Sequence, residues 1–271
     1  MRLAVLTSVD TRHRYFANVL RRAFDVVAVG YQETGYHPAK RWATRLDPRS
    51  AELVRHHFAE RTRQETLRFG ADAERLNTAT PGDLSIRSLT PATLNAGETV
   101  QWLRDRRVEV IVVFGTTLIK PPLLDAFAGR LLNMHLGLSP YYRGTATNFY
   151  PLVNDEPEYV GATIHLIDAG IDSGPILHHA RPTIDPDDMP HTVGCKAIQA
   201  GLDKVIQALH ELEAGRVAAV PQWTVPDARL YLRRDYHPSQ VVALYERIDR
   251  GLFRDYVARR HRVENAMRLV D

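Results

Sequence analysis

Short apolar runs alternate along this chain with longer segments whose apolar residues recur every three to four positions. Leu3 to Thr7 is a compact apolar run and predicts a first strand. Arg12 to Phe24 places Tyr15, Phe16, Val19, Leu20 and Phe24 at helical spacing, and Asp25 to Gly30 is apolar again. This β-α-β opening predicts a parallel, doubly wound sheet. The run VEVIVVF, Val108 to Phe114, has the continuous apolarity of a central parallel strand buried on both faces. Helices are expected at Glu52 to Phe69, Thr99 to Arg106, Pro121 to Phe127 and Thr192 to Ala214, the last closed by Gly215. Further strands are expected at Leu131 to His135 and Ala162 to Ile167. Beyond Val220 the pattern changes to a segment with Trp223, the run RLYLRRDY and two helical stretches, Pro238 to Arg247 and Gly251 to Arg262. The expected architecture is therefore α/β: one mostly parallel sheet over residues 1–220, with a short helical C-terminal appendage over 221–271.

Composition narrows the function classes. The chain has 271 residues and a formal net charge of +3. No apolar run approaches the roughly 20 residues of a membrane-spanning helix, and MRLAVLTSVD reads as a strand, not a signal peptide. Cys195 is the only cysteine, so no internal disulfide can form, and a reducing cytoplasm is the expected setting. Its helical surroundings predict a buried core thiol. Arginine supplies nearly all the cations, without a block of like charges that would form a nucleic-acid arm. The charges of Glu52 to Phe69 read as a solvated surface. His56 and His57 on that helix, and His178 and His179 on a strand, lack the partners of a metal site. No G-x-G-x-x-G follows the first strand, where the turn is Ser8-Val9-Asp10-Thr11, so a dinucleotide site is not expected.

Candidate chemistry concentrates between Leu131 and Pro175. The segment LLNMHLGLSPYYRG places Asn133 and His135 two apart at a strand end, where both project to one face. The later segment GATIHLIDAGIDSGPI places Asp168 and Asp172 around a glycine in a loop. Singly, an Asn-x-His at a strand end is an ordinary polar pair and an Asp-Ser-Gly loop is an ordinary turn. Together they supply an amide, an imidazole and a carboxylate, the groups needed to stabilise an oxyanion and move a proton. The loop Gly115 to Lys120 leaves the central strand at its carboxyl end, where open α/β sheets bind ligands.

The pattern N-x-H-x-x-x-S/L-P-x-x-R/P-G, followed by D-x-G-x-D-x-G-P, resembles the 10-formyltetrahydrofolate-dependent formyltransferases, most closely the sugar N-formyltransferases. The resemblance covers Val108 to Val220 well and the N-terminal third loosely. It implies a Rossmann-like formyltransferase fold and 10-formyltetrahydrofolate as co-substrate. It also implies Asn133, His135 and Asp172 as catalytic residues. Asn133 and His135 would hold the formyl oxygen, while Asp172 would orient His135, raise its affinity for a proton and relay protons through water. Donor contacts would come from Leu118 and Ile119 on one wall and from the backbone of Asp168, Ala169, Gly170 and Ile171 on the other, Gly170 permitting an unusual backbone conformation. His165 either supports the site or simply packs. No metal is required.

Departures from the family narrow the acceptor amine. SVDTRHR stands where glycinamide ribonucleotide transformylase carries a glycine-rich phosphate loop. The residues after Val220 do not suit the β-barrel of methionyl-tRNA formyltransferase. A nucleotide-linked amino sugar is the expected acceptor, with Tyr141, Tyr142 and Arg143 as its contacts and no nucleic acid or membrane as partner. Hydrolysis of 10-formyltetrahydrofolate, formylation of another small amine and a non-catalytic folate-binding scaffold stand as alternatives. The appendage could bind substrate, form a homodimer or cap the sheet.

Overall fold

A computed structural model describes residues 1–33, 46–74 and 84–271. Five strands run parallel in the order β3-β2-β1-β4-β5: β1 (Leu3–Ser8), β2 (Val26–Gln32), β3 (Ser85–Leu89), β4 (Val110–Phe114) and β5 (Leu131–His135). β7 (Ala162–Leu166) and β8 (Ile176–Ala180) extend the sheet antiparallel beyond β5. The expected α/β architecture is present.

Strand alternation explains why the central strands are apolar throughout. In β1, Leu3 and Val5 enter the core on one face, and Ala4 and Leu6 enter the core on the other. In β4, Val110, Val112 and Phe114 take the first face, and Ile111 and Val113 the second. Each residue points away from its neighbour, so a strand covered on both sides must be apolar at every position. The first face is covered by α1 (Thr11–Ala23), α2 (Pro48–Glu74) and α6 (Pro190–Glu213), the second by α3 (Gly97–Asp105) and α4 (Leu123–Ala126). Between β5 and β7 lie β6 (Tyr142–Gly144) and the single turn α5 (Tyr150–Val153).

The chain runs outward from β1 to β2 and β3, then returns to the other side of β1 for β4. The carboxyl ends of β1 and β4 therefore part, and their following loops leave a crevice, the position where doubly wound sheets bind ligands.

The segment after Val220 is less exclusively helical than its pattern suggests. Val220 bridges Ile176 at the sheet edge, and β9 (Arg229–Tyr231) pairs in parallel with β6. α7 (Ser239–Asp249) and α8 (Leu252–Asn265) follow. Leu244, Leu252, Phe253 and Tyr256 share one apolar cluster with Leu152, Val160, Val193 and Ala197. Val270 closes the segment on β8, accepting from the His179 N–H at 2.7 Å and donating to His179 Nδ1 at 2.9 Å. The expected helix at Pro121 to Phe127 is only the single turn Leu123–Ala126. Among the described residues, no helix is long and apolar enough to cross a membrane.

Candidate active site

β5 delivers Asn133 and His135 to the crevice side by side, as strand geometry requires. Its antiparallel partner β7 sets His165 directly opposite Asn133. The Asn133 Nδ2 lies 3.1 Å from His165 Nε2 and 3.3 Å from Asp172 Oδ1. The other nitrogen of His165 lies 2.8 Å from the Leu166 carbonyl, so it carries the proton and leaves Nε2 to accept from the amide. His165 thus does more than pack, because it fixes which way the Asn133 amide faces. The second carboxylate oxygen of Asp172 sits 3.4 Å from His135 Nδ1 and accepts the Gly144 N–H at 2.9 Å.

The loop holding Asp172 is strained at that residue. Asp172 adopts a left-handed backbone with φ 47°, a conformation costing a side-chain-bearing residue roughly 1 kcal/mol or more. Gln222 restrains it, donating to the carbonyls of Asp172 at 2.8 Å and Gly174 at 2.9 Å. Gly170, expected to take the unusual conformation, is needed for a different reason. A Cβ there would lie 2.1 Å from Ser173 Oγ, which binds Asp168 Oδ1 at 2.8 Å.

The electrostatics revise one expectation. Burial pushes the His135 proton affinity below its ordinary value, outweighing the opposing pull of Asp172. The resting imidazole is therefore neutral around pH 7, not protonated. Its neighbours nonetheless suit a charged ring. The Tyr142 carbonyl and Thr147 Oγ1 both lie 3.2 Å from Nε2, and Thr147 spends its own proton on the Leu136 carbonyl. Burial opposes ionisation of Asp172, yet the adjoining His135 ring and the Gly144 N–H hold its carboxyl below the ordinary range.

These groups open onto a cavity of about 880 Å³. Leu118, Ile119, Asp168, Gly170 and Ile171 line it beside Asn133, His135 and Asp172, whereas Ala169 does not. Leu118 is half exposed and Ile119 buried. Tyr141, Tyr142 and Arg143 are also absent from its lining. Tyr142 is 2% exposed and gives its hydroxyl to Glu156, while Tyr141 bonds the Arg268 backbone and Arg143 pairs with Leu230 in the β6–β9 ladder. The aromatic loop therefore fastens the C-terminal segment, and the following residues Gly144 to Phe149 face the cavity.

The opposite wall was not foreseen from the sequence. α1 contributes Arg12 and His13, α2 contributes His57, Phe58, Arg61 and Glu65, and the C-terminal segment contributes Leu232, Arg233 and Tyr236. The charges of α2 are thus solvated on one face only. Glu52–Arg55 and Glu60–Arg63 pair outside, but Glu65 is buried and bonds Arg12 at 2.7 Å. A signal was present: Val54, Phe58, Arg61, Glu65 and Phe69 form an inward stripe at three-to-four-residue spacing, two of them charged. Cys195 is a buried thiol on the cavity floor, its ionisation pushed up to about 12 by burial. Among the described residues, no cluster of histidine, cysteine or carboxylate side chains is placed to hold a metal ion.

The chain is 38% identical over 134 residues to methionyl-tRNA formyltransferase of Heliobacterium modesticaldum, covering 49% of this chain and 42% of that protein. It is 34% identical over 148 residues to the enzyme of the same name from Burkholderia thailandensis, covering 54% and 44%. The chain thus matches under half the length of these relatives. Its fold is similar to a sugar N-formyltransferase from a Shewanella species, with TM-score 0.55, 18% identity and coverage of 87% and 78%. It is also similar to phosphoribosylglycinamide formyltransferase from Anaplasma phagocytophilum, with TM-score 0.56, 14% identity and coverage of 86% and 97%. An N-formyltransferase from Helicobacter canadensis, solved with folinic acid and dTDP-3-aminofucose, matches with TM-score 0.54 and 16% identity, over 88% of this chain and 73% of that one. The family model described as formyl transferase matches residues 70–209, just over half of the chain and the whole of its Asn133–Asp172 region, and the chain belongs to that family.

Proposed function

We propose that this protein transfers the formyl group of 10-formyltetrahydrofolate to a primary amine, most fittingly the amine of a nucleotide-linked sugar, with Asn133, His135 and Asp172 as the catalytic residues. The carrying observation is the convergence of an amide, an imidazole and an ionised carboxylate at one end of a cavity whose adjoining wall offers apolar side chains and loop backbone. The donor suits that wall. Leu118, Ile119 and Ile167 would hold the flat faces of the pterin, and the backbone of Asp168, Gly170 and Ile171 would read its polar edge.

When bound, the donor supplies an electrophilic formyl carbon. Asn133 would donate to the formyl oxygen by exchanging its longer bond, the 3.3 Å contact with Asp172. His135, neutral at rest, gains affinity for a proton as negative charge develops beside it, and its surroundings already suit the charged ring. Asp172, ionised across the neutral range, would accept the proton lost by the attacking amine and return it to the departing nitrogen. Its shared contacts with Asn133, His135 and the Gly144 N–H keep the group in position for both transfers.

The sugar acceptor draws support from the chemistry named in the Helicobacter canadensis structure, and the far wall of the cavity leaves room for a second substrate beside the donor. The names of the matched relatives favour a second acceptor, the amine of methionyl-tRNA. The deciding experiment offers 10-formyltetrahydrofolate with a panel of nucleotide-linked amino sugars, glycinamide ribonucleotide and charged initiator tRNA, and reads each acceptor by mass for one added formyl group. Formylated sugar is the expected result. Formylated tRNA alone would overturn the sugar reading but leave formyl transfer standing. Formate release at equal rates with and without amines would replace transfer by hydrolysis.

A further inference from the structure

Formyl transfer accounts for one end of the cavity and leaves the wall built by α1, α2 and the C-terminal segment without a role. That wall sets the guanidinium groups of Arg12, Arg61 and Arg233 along the cavity. Glu65 is committed to Arg12 at 2.7 Å, and Arg61 reaches the same carboxylate only at 3.8 Å, beyond hydrogen-bond distance. Asp10 lies 3.7 Å from Arg12, so it too serves the first guanidinium. Among the described residues Arg61 makes no hydrogen bond to a protein acceptor; its guanidinium instead lies over the Phe58 ring, 5.2 Å from the centroid. Burial and the nearby Arg12 charge lower its proton affinity against the opposing pull of Glu65 and Asp10, while its side chain, 36% exposed, stays open to the cavity.

The rest of the surroundings of Arg61 is polar and aromatic. His57 is 5% exposed, packs 4.3 Å from His191, and its Nδ1 has no hydrogen-bond partner among the described residues. Burial holds both rings neutral, with His57 lowered to about 2 and His191 to about 4. Beside them the aromatic rings of Phe58, Phe149 and Tyr236 meet at 5.4–6.4 Å, and all three line the cavity. Arg233 brings a further guanidinium from the C-terminal segment.

We propose that this wall is a phosphate-binding subsite for the acceptor, in which Arg61, joined by Arg233, holds a phosphate or diphosphate while the aromatic group around Phe58 and Tyr236 receives the flat part attached to it. This rests on the formyl-transfer reading and goes further by naming the anion and the residues that select it. The planar guanidinium fork matches phosphate oxygens two at a time, and a partly desolvated site strengthens such bonds. The Arg12–Glu65 pair fixes the adjoining wall so that Arg61 faces the ligand without collapsing onto the acid.

The test measures calorimetric binding of inorganic pyrophosphate, dTDP and succinate to the full chain, with folinic acid as a probe of the donor end. Wild type, Arg61→Gln, Arg61→Lys and Arg233→Gln are compared at low and high salt. The expected result is that pyrophosphate and dTDP bind wild type, with dTDP tighter. Affinity should fall on the order of tenfold or more in Arg61→Gln, less in Arg61→Lys and Arg233→Gln, and for all proteins as salt rises. Folinic acid should bind every variant within about twofold of wild type, which also certifies folding. Equal phosphate affinity in wild type and Arg61→Gln, binding of succinate alone, or folinic acid binding without any anion binding would each overturn the subsite and leave formyl transfer untouched. Loss of folinic acid binding in wild type would instead overturn the formyl-transfer reading.

Discussion

The two ends of the cavity are built by different means. At the Asn133 end, adjacent strands in a fixed register set an amide and two imidazoles, and an anchored loop adds a carboxylate, with contacts of 3.1–3.7 Å. The ladder leaves little freedom, and each polar group has a partner before any substrate arrives. At the Arg61 end, side chains come from two helices and the C-terminal segment, separated by much of the chain, and the buried Glu65 bonds Arg12 while Arg61 stands 3.8 Å from it. On the proposed reading the first end moves a proton and the second meets a charge. Rigid strand ends position chemistry, and helix faces, free to vary without disturbing the sheet, position recognition.

The sharpest way to break this contrast is at Asp172. Replacing it with asparagine keeps its shape and much of its hydrogen bonding but removes the charge facing His135 Nδ1 and the proposed acceptor for the amine proton. Turnover should fall by about a hundredfold or more. Folinic acid affinity and melting temperature should stay near wild type, because asparagine tolerates the left-handed backbone at φ 47° as well as aspartate does. Retention of most activity by a folded Asp172→Asn protein would remove the carboxylate from the mechanism.

At the other end the corresponding change is Glu65→Gln, and its expected effect is on stability. The substitution leaves Arg12, whose side chain is 20% exposed, with Asp10 at 3.7 Å in place of the acid at 2.7 Å, and removes the charge 3.8 Å from Arg61. A loss of roughly 1–3 kcal/mol is expected, read as a lower denaturant midpoint at unchanged slope. Turnover in the surviving folded protein should change far less than in Asp172→Asn. A large fall in turnover without a stability loss would mean that the two ends are not separable.

This difference between the ends also explains what could be read in advance. Asn133, His135 and Asp172 were legible because their placement is local: a strand of period two followed by loops punctuated with glycine. The central strands were legible because burial on both faces forces a continuous apolar run. Arg61 and Glu65 lie on a helix whose outer pairs mimic a solvated surface, and only packing against α1 and the C-terminal segment makes the inner stripe a cavity wall. β3 was missed because Ser85–Leu89 is an edge strand with three of its five residues exposed, so it lacks apolar alternation. β9 was missed because three residues pair only through the ladder offered by β6. The strained residue is Asp172, not Gly170, since the loop's anchors, Gly144 and Gln222, come from elsewhere in the chain.

The histidines let acid sharpen the comparison. His57 and His191 at the far wall have folded values lowered to about 2 and about 4, while an unfolded histidine titrates near 6.5. Below that unfolded value the unfolded chain takes up protons that the folded chain refuses. The stabilisation is therefore complete above about pH 7 and is lost as pH falls. Each of these groups should cost about 1 kcal/mol between pH 7 and 5.5. At the catalytic end Asp172, lowered in the folded protein, is ionised in both states over that window and contributes no slope there, while His135, also lowered by burial, adds to the slope in the same direction. Urea melts across the window should give falling midpoints, and His191→Gln should remove close to one proton's share of the slope. An unchanged slope in that variant would mean that His191 is not held neutral in the folded wall.

The smallest expected effect decides which side of the cavity receives the acceptor. Tyr142 donates its hydroxyl to Glu156, which also accepts Arg229 at 2.8 Å, and accepts the Asn154 amide at 2.8 Å. All these partners lie away from the cavity lining. Tyr142→Phe keeps the ring that packs beside Tyr231, 6.1 Å between centroids, and removes only the hydroxyl. Leaving the Asn154 amide and Glu156 each one partner short should cost about 1 kcal/mol. Because the ring and the β6–β9 ladder persist, the Gly144 N–H stays on Asp172, and kcat and both KM values should remain within about twofold of wild type. A several-fold rise in acceptor KM at unchanged kcat would place the acceptor against the Tyr141–Arg143 loop and away from Arg61. Unchanged KM in Tyr142→Phe, together with a raised acceptor KM in Arg61→Gln, would fix recognition to the helical wall.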